Sequence, residues 1–316
     1  MLTPSQIHQF ETQGYLVVPD LIPMEVMEAV RAEYEALLDE LYQGWFAAGA
    51  VTVAPEALNF WDKLLTVYRA GCDYFQPMDI SLPGNQIKVD TPFHFGPAVF
   101  DLLTTEPLLD VVEQLIGPEL TSNPIQHVRI KPPATALAED ETRSHITFTD
   151  WHQDRGVTHA EADQTEMITV WIAMTDATPQ NGCLQVQAQA QDQQMLPHCP
   201  RTQTGIAEGF IDESAGLPLP VRSGGVILFD PLTPHASLPN TTDGFRWSFD
   251  IRFNKTGQPT GRAHFPSFVA RSRANPASEL RDWRAWKRMW EEARTRLAGA
   301  PHIEIHRWTS DAPHCA

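Results

Sequence analysis

The chain has 316 residues, 42% of them hydrophobic, and a formal net charge of −17. This length allows one large globular domain or two small ones, with an ample core. The acidic balance argues against binding to nucleic acid or to anionic membranes, both of which require basic patches, but not against a small-molecule substrate. No apolar run is long enough to span a bilayer. Four scattered cysteines and the lack of a signal peptide indicate reduced thiols in a cytoplasmic protein.

The amino-terminal part, residues 1–120, is predicted to be mainly helical. Thr3 is suited to cap a first helix with Gln6 as its reciprocal partner, and Gly14 ends that helix. The segment 15–18 reads as a short strand. Apolar residues within 26–41 then recur at helical spacing, which is typical of a helix that packs onto a sheet.

Two later segments have the patterns of strands. In 125–131 the residues alternate, so that His127 and Arg129 share one face, and two prolines end the run. The segment 167–174 is almost continuously apolar, which indicates a strand buried on both faces.

A candidate metal site begins at residues 151–154, WHQD. In an extended strand, side chains two residues apart point the same way, so His152 and Asp154 are expected to face one cavity. His235 follows the apolar run 225–229 and supplies a third ligand. Two histidines and one carboxylate form the facial triad of non-haem Fe(II) oxygenases. In a chain with 12 histidines and 40 acidic residues, the alternative is a chance surface pair or a hydrogen-bonded buried histidine.

Arg246 lies eleven residues after His235. The turn-forming residues 240–244 predict a chain reversal, and 247–253 then alternates as a strand. A hairpin of this length is expected to bring Arg246 back beside His235. The rigid guanidinium fork of an arginine at that place can bind a carboxylate through two hydrogen bonds.

These residues resemble the phytanoyl-CoA dioxygenase family of Fe(II)- and 2-oxoglutarate-dependent oxygenases. The matching segments are 2–6, 14–18, 152–154, 181–184, 224–229 and 235–246. The resemblance covers roughly residues 1–255. It implies a mainly β fold with α additions, whose core is a double-stranded β-helix, or cupin-like jelly roll, flanked by amino-terminal and carboxy-terminal helices. We expect one domain over 1–316, with a mainly helical part at 1–120, the jelly-roll core at 121–256 and a carboxy-terminal extension at 257–316.

The resemblance also implies the reaction and its residues. The enzyme would use Fe(II), dioxygen and 2-oxoglutarate to hydroxylate a small molecule, with release of succinate and carbon dioxide. His152, Asp154 and His235 would bind the metal and, with Arg246, form the catalytic set. Arg246 would also hold the far carboxylate of 2-oxoglutarate, assisted by Ser237.

Three further residues are assigned to the cosubstrate by the resemblance alone. They are Lys88, His127 and Trp171. Each also has a simpler interpretation: Lys88 as a solvated surface charge, His127 as a hydrogen-bonded histidine at the edge of the core, and Trp171 as core packing.

The substrate is not predicted. The loops that would surround it, 134–150, 155–166 and 187–222, carry no transferable motif, and 185–191 departs from the Pro-Gly-Ser-His element usual in the family. Family halogenases have a small residue in place of the carboxylate ligand, so Asp154 favours hydroxylation over halogenation. Desaturation and ring formation stay open.

Two other classes of protein are compatible with the sequence. One is a cupin-like metal enzyme without 2-oxoglutarate, such as an isomerase, which would not need a carboxylate-binding Arg246. The other is a non-catalytic binding protein of the same fold, although such proteins usually lose a ligand and this chain has all three. Trp283, Trp286 and Trp290 share one helix face, which favours a core contact or a homo-oligomer contact.

Overall fold

The computed structural model describes residues 1–84, 86–143, 145–188, 193–200, 203–301 and 307–315. Within these ranges the helices are α1 Pro4–Gln13, α2 Met24–Ala47, α3 Phe60–Arg69, α4 Phe75–Met78, α5 Pro97–Thr104, α6 Glu106–Ile116, α7 Asp154–Val157 and α8 Trp283–Ala298. The strands are β1 Tyr15–Val18, β2 Glu119–Lys131, β3 Met167–Ala173, β4 Leu184–Val186, β5 His198–Pro200, β6 Thr204–Ile206, β7 Leu217–Leu219, β8 Val226–Phe229, β9 His235–Ser237, β10 Arg246–Lys255 and β11 Phe268–Ser272.

The chain opens with the predicted capped helix and strand. The Thr3 hydroxyl accepts a hydrogen bond from the Gln6 amide at 3.3 Å, and the Gln6 side chain accepts one from the Thr3 amide at 2.9 Å. Helix α1 ends at Gly14, whose φ of 74° is left-handed and suits a residue without Cβ. Strand β1 follows at once and pairs with β8.

Two antiparallel sheets form the body of the molecule. The larger has the strand order β1-β8-β3-β10-β2-β11, and the smaller has the order β7-β4-β9. Strands β5 and β6 make a separate two-stranded ribbon. The sheets do not close into a barrel. This is the jelly-roll, cupin-like arrangement with helical additions, as predicted.

The helices cover one face of the larger sheet. Val30, Tyr34 and Leu38 of α2 are fully buried and belong to the same apolar cluster as Phe249 and Ile251 of β10. Strand β3 is buried along its whole length, as its apolar run predicts. The other face of the sheet is therefore left to meet the smaller sheet and to line a cavity.

The tryptophan face of α8 is a core contact. Trp286 and Trp290 are buried, and their rings lie 4.3 and 5.2 Å from that of Phe95. Of the two interpretations of this face, the structure supports packing within the chain.

The predicted hairpin between His235 and Arg246 is wrong. Strand β9 pairs with β4 in the smaller sheet, whereas β10 pairs with β2 and β3 in the larger one. The turn-forming residues 240–244 therefore carry the chain from one sheet to the other. Turn chemistry shows where a chain reverses, but it does not specify which strand the chain pairs with next.

The structure also differs from the predicted loop at 187–222 and from the predicted bounds of the jelly-roll core, 121–256. The segment 187–222, predicted as a loop, contains the short strands β5, β6 and β7. Strands β1 and β11 come from outside 121–256 and yet extend the larger sheet at its two edges. In the described part of the chain, no helix has both the length and the apolar character needed to cross a membrane.

The prediction of four reduced cysteines is wrong for one pair. Cys199 of β5 is joined to Cys315 by a disulfide, while Cys72 and Cys183 are free. The same carboxy-terminal segment is held by an ion pair of 2.6 Å between Arg307 and Asp163. The positions of the cysteines in the sequence gave no sign of this pairing, because the two bonded cysteines are 116 residues apart.

Replacing Cys315 by serine is expected to lower the free energy of unfolding of the oxidised protein by about 2–4 kcal/mol, because the disulfide closes a long loop and restricts the unfolded chain. Cys72→Ser, which breaks no bond, serves as the matched control. Thermal or urea unfolding measures both variants with and without a reductant. Equal stabilities for Cys315→Ser and the parent under oxidising conditions would show that the bond contributes nothing.

Candidate active site

His152 and His235 are held side by side by their own backbones. The amide of each donates to the carbonyl of the other, at 3.0 and 2.9 Å, although the residues are distant in sequence. Their ring centroids are 4.2 Å apart. Nδ1 of His152 lies 2.8 Å from the Asp150 carbonyl, and Nδ1 of His235 lies 3.0 Å from the Thr233 carbonyl. Because a carbonyl can only accept, each Nδ1 is the donor, and each Nε2 lone pair is available to a metal ion.

Asp154 completes the group from the start of helix α7. Gln153 is extended, with φ of −112°, so the side chains of His152 and Asp154 do share a side as predicted, although Asp154 opens a short helix instead of continuing a strand. Gln153 points the other way and donates to the Leu232 carbonyl at 2.6 Å. The Asp154 carboxylate lies 3.9 Å from Nε2 of His152 and 4.0 Å from Nε2 of His235.

The Asp154 carboxylate is fully buried and has a partner on each oxygen. Thr169 donates its hydroxyl to Oδ2, and Arg252 donates from Nη2 to Oδ1. Burial alone would raise the pKa of Asp154, but the positive charge of Arg252, together with the two histidines and the Thr169 hydrogen bond, holds it below its ordinary value. Asp154 is therefore an anion.

His152 is in the matching protonation state. Burial first, and the neighbouring His235 next, lower the pKa of His152 to about 3, so this ring is neutral. Neutral imidazoles and a carboxylate anion are the forms that bind a divalent metal.

The donor atoms of His152, Asp154 and His235 all lie within 4.8 Å of one another, which fits one ion with open positions on its other side. A second group, Cys199, His314 and Cys315, is similarly close, but its two sulfurs are bonded to each other and are not thiolate ligands.

Two members of the triad, His152 and His235, line a cavity of about 360 Å³ that lies between the two sheets. Arg246 and Trp171 line it from the larger sheet and His235 from the smaller one. The Arg246 guanidinium is 5.3 Å from the Trp171 ring centroid and donates to the Ser248 hydroxyl at 2.6 Å. Burial lowers the pKa of Arg246 to about 9, with Arg129 adding to the effect, so the group is still a cation near neutral pH.

Arg246 has an unused donor. Its Nε is buried and has no hydrogen-bond partner among the described residues. A buried donor without a partner is costly, and an incoming carboxylate would satisfy it. The structure thus brings His152, His235, Arg246 and Trp171 together at one cavity, with Asp154 behind them against the two histidines.

The predicted lysine is not at this cavity. Lys88 is exposed and is not among the residues that line it. Lys131, which the sequence analysis did not select, does line it and stands opposite Arg246 in the strand register. Lys131 donates to the Ser237 hydroxyl at 2.8 Å, so Ser237 reaches the site through this lysine. Burial lowers the pKa of Lys131 well below its ordinary value, with Arg246 and Arg129 contributing.

His127 also lines the cavity, as predicted, and its Nδ1 is 2.9 Å from the Asp79 carboxylate. Sequence reasoning missed four other lining cations: Arg129, Lys131, Arg252 and Arg262. The alternation that places His127 and Arg129 on one face extends to Lys131, and the same period from Arg246 reaches Arg252. Strand alternation therefore pointed to Arg129, Lys131 and Arg252, but not to Arg262.

A jelly roll whose facing sheets hold a His-Asp-His triad and a buried arginine in one cavity has the architecture of the non-haem Fe(II)- and 2-oxoglutarate-dependent oxygenases. Solved structures agree on the fold. A non-haem monooxygenase, ThoJ in its apo form, is 19% identical with a TM-score of 0.58, covering 93% of this chain and 98% of that one. EvdO2 from Micromonospora carbonacea var. aurantiaca, complexed with 2-oxoglutarate, is 18% identical with a TM-score of 0.53, covering 81% and 92%.

The sequence comparisons identify the family. The model of the phytanoyl-CoA dioxygenase family matches residues 10–248. Peroxisomal phytanoyl-CoA dioxygenase from Homo sapiens is 23% identical over 262 residues, which cover 80% of this chain and 68% of that protein. The chain belongs to the phytanoyl-CoA dioxygenase family. This confirms the predicted family.

Proposed function

We propose that this protein is an Fe(II)- and 2-oxoglutarate-dependent dioxygenase that hydroxylates a small molecule and releases succinate and carbon dioxide. The observation that supports it most is the closeness of two features. Two imidazoles and a carboxylate converge on one point, and a buried Arg246 with a partnerless Nε lines the cavity that the two imidazoles also line.

In the proposed reaction, bound iron supplies the activation of dioxygen at the expense of 2-oxoglutarate. The chain holds that iron through Nε2 of His152, Nε2 of His235 and the carboxylate of Asp154. The carbonyls of Asp150 and Thr233 fix the two ring orientations, and Thr169 and Arg252 fix the carboxylate. These outer contacts keep the ligands in place before the metal arrives, which reduces the cost of assembling the site.

The far carboxylate of 2-oxoglutarate is assigned to Arg246 and Lys131. They face each other on neighbouring strands, so their donors can bind the two oxygens of one carboxylate. Ser237 holds the lysine, and the Trp171 ring lies beside the arginine. An isomerase without a cosubstrate would have no use for this pair of buried cations beside the metal.

We also propose that the chain forms one domain. Strands from its amino-terminal part and its carboxy-terminal extension lie at opposite edges of the same sheet. Neither edge would be covered if the central segment stood alone.

The test is a succinate assay on purified protein. Loaded with Fe(II) in the absence of oxygen and then exposed to air with 2-oxoglutarate, the protein is expected to form succinate slowly even without a substrate. Metal-free protein and an anaerobic sample are the controls. If succinate in the complete mixture does not exceed that in these controls, the proposal is refuted.

Lys131→Met is expected to weaken 2-oxoglutarate binding about tenfold, because one charge-assisted hydrogen bond is lost. Lys88→Met makes the same chemical change on an exposed side chain and is expected to leave binding unchanged. Anaerobic calorimetric titration of the Fe(II)-loaded variants compares them directly. The reverse order of effects would restore Lys88 as the cosubstrate lysine.

A further inference from the structure

The cavity carries more positive charge than the cosubstrate requires. Its described lining includes five arginine and lysine side chains and a single carboxylate, that of Asp250. The lining cations are Arg129, Lys131, Arg246, Arg252 and Arg262. This lies inside a protein whose formal net charge is −17. Because buried cations without partners are destabilising, such a cluster points to anionic ligands.

Most of these cations already have a role. Arg252 is paired with Asp154, and its other terminal nitrogen is 3.4 Å from Asp250. Arg262 donates to the carbonyls of Gly261 and Val157, at 3.1 and 2.6 Å. Arg246 and Lys131 are assigned to 2-oxoglutarate. Only Arg129 is left without a role.

Arg129 has no partner of its own. Its side chain makes no hydrogen bond or ion pair to any residue in the described part of the chain. Burial is the main reason why the pKa of Arg129 is lowered, and the charges of Asp250 and Asp79 oppose the shift. The guanidinium is therefore a half-buried cation with its donors unused.

The position of Arg129 differs from that of Arg246. It faces Ser248, two pairs further along the strands from Arg246 and Lys131. Together with His127, Arg129 also lines an adjoining groove of about 320 Å³, which Arg246 and Lys131 do not line.

His145 lines this groove too, and its buried Nε2 has no hydrogen-bond partner among the described residues. Arg143 lines it as well, but it is already bound to Glu141 at 2.7 and 2.9 Å.

We propose that Arg129, at the junction of the metal cavity and this groove, binds the anionic group of the primary substrate, which is an organic carboxylate or phosphate ester. His145 offers a further polar contact on the groove side. The apolar part of the substrate would lie against Ile125 and Val157, which line the metal cavity. Ile125 is four residues before Arg129 on β2 and lines the same cavity. This proposal rests on the proposed function, because it assigns the substrate of the same site.

The test separates the substrate anion from the cosubstrate by two arginine substitutions. Anaerobic Fe(II)-loaded protein with bound 2-oxoglutarate is titrated calorimetrically with phenyl phosphate, with phenylacetate and with uncharged benzyl alcohol. We expect at least one of the two anions to bind and the alcohol not to bind. Which anion binds more tightly decides between a phosphate and a carboxylate substrate.

Arg129→Met is expected to weaken binding of that anion roughly tenfold or more and to leave 2-oxoglutarate binding within about threefold. Arg246→Met is expected to weaken 2-oxoglutarate binding and to leave binding of the anion nearly unchanged. Arg143→Met is the matched control, because it removes a groove cation that is already neutralised by Glu141. Arg129→Lys should restore part of the anion affinity.

Two outcomes would overturn the proposal: no loss of anion binding in Arg129→Met, or an equal loss of anion and 2-oxoglutarate binding. Failure of the unsubstituted protein to bind 2-oxoglutarate would instead refute the proposed function. In that case the anion titrations are run without 2-oxoglutarate, and anion binding that is lost in Arg129→Met but kept in Arg246→Met would still support the assignment of Arg129.

Discussion

Asp154→Asn is expected to abolish succinate formation and to weaken Fe(II) binding by more than about 100-fold. Substitutions of residues that merely orient a ligand typically cost about 10- to 100-fold in metal affinity, so loss of the ligand charge itself should exceed that range. Asparagine keeps the shape of the side chain: its amide oxygen can accept from Arg252, and its amide nitrogen can donate to the Thr169 hydroxyl oxygen. The change therefore removes charge and leaves the packing intact.

Asp154→Asn also leaves Arg252 without its counter-charge in the interior, which is expected to destabilise the metal-free protein. Thermal melting of the variant sets the temperature at which it is still folded, and iron affinity is then measured below that temperature by calorimetry. Asp140→Asn, the same substitution on an exposed loop residue, is the control. Unchanged iron affinity in folded Asp154→Asn would show that this carboxylate is not a ligand.

The triad could be predicted because most of its geometry is local. His152 and Asp154 are two residues apart, and an extended residue between them is sufficient to place both on one side. His235 needed more than spacing, since it is joined to His152 only by a backbone bridge between distant segments. Its place was predicted from the family resemblance and from the strand-like run before it.

The lysine that lines the cavity could not be placed by spacing along the chain. Lys88 is in the helical amino-terminal part, whereas Lys131 enters the cavity because β2 is an inner strand paired with β10. The strand alternation in 125–131 did contain this information, but only the register with Arg246 shows that the lysine and the arginine are neighbours. The disulfide between Cys199 and Cys315 was beyond sequence reasoning for the same reason, because it depends on where the carboxy-terminal segment returns.

Arg246→Met is expected to weaken 2-oxoglutarate binding by at least about 30-fold while changing iron affinity little. Removing one partner of a buried, hydrogen-bonded charge pair costs about 2–5 kcal/mol, and each 1.4 kcal/mol corresponds to about tenfold in affinity. The arginine is buried in the wall of the larger sheet and donates to Ser248, not to any of the three metal ligands. Calorimetric titration with Fe(II), and then with 2-oxoglutarate under anaerobic conditions, measures the two affinities separately.

Two further variants identify what the arginine supplies. Arg246→Lys keeps the positive charge but loses the planar fork, so it should recover only part of the affinity. Arg222→Met removes an exposed arginine and controls for the loss of a positive charge alone. If Arg246→Met weakened iron and 2-oxoglutarate binding equally, the arginine would be a structural residue of the sheet. A selective loss would instead mean that the larger sheet binds the cosubstrate, while the bridge between His152 and His235 positions the metal independently.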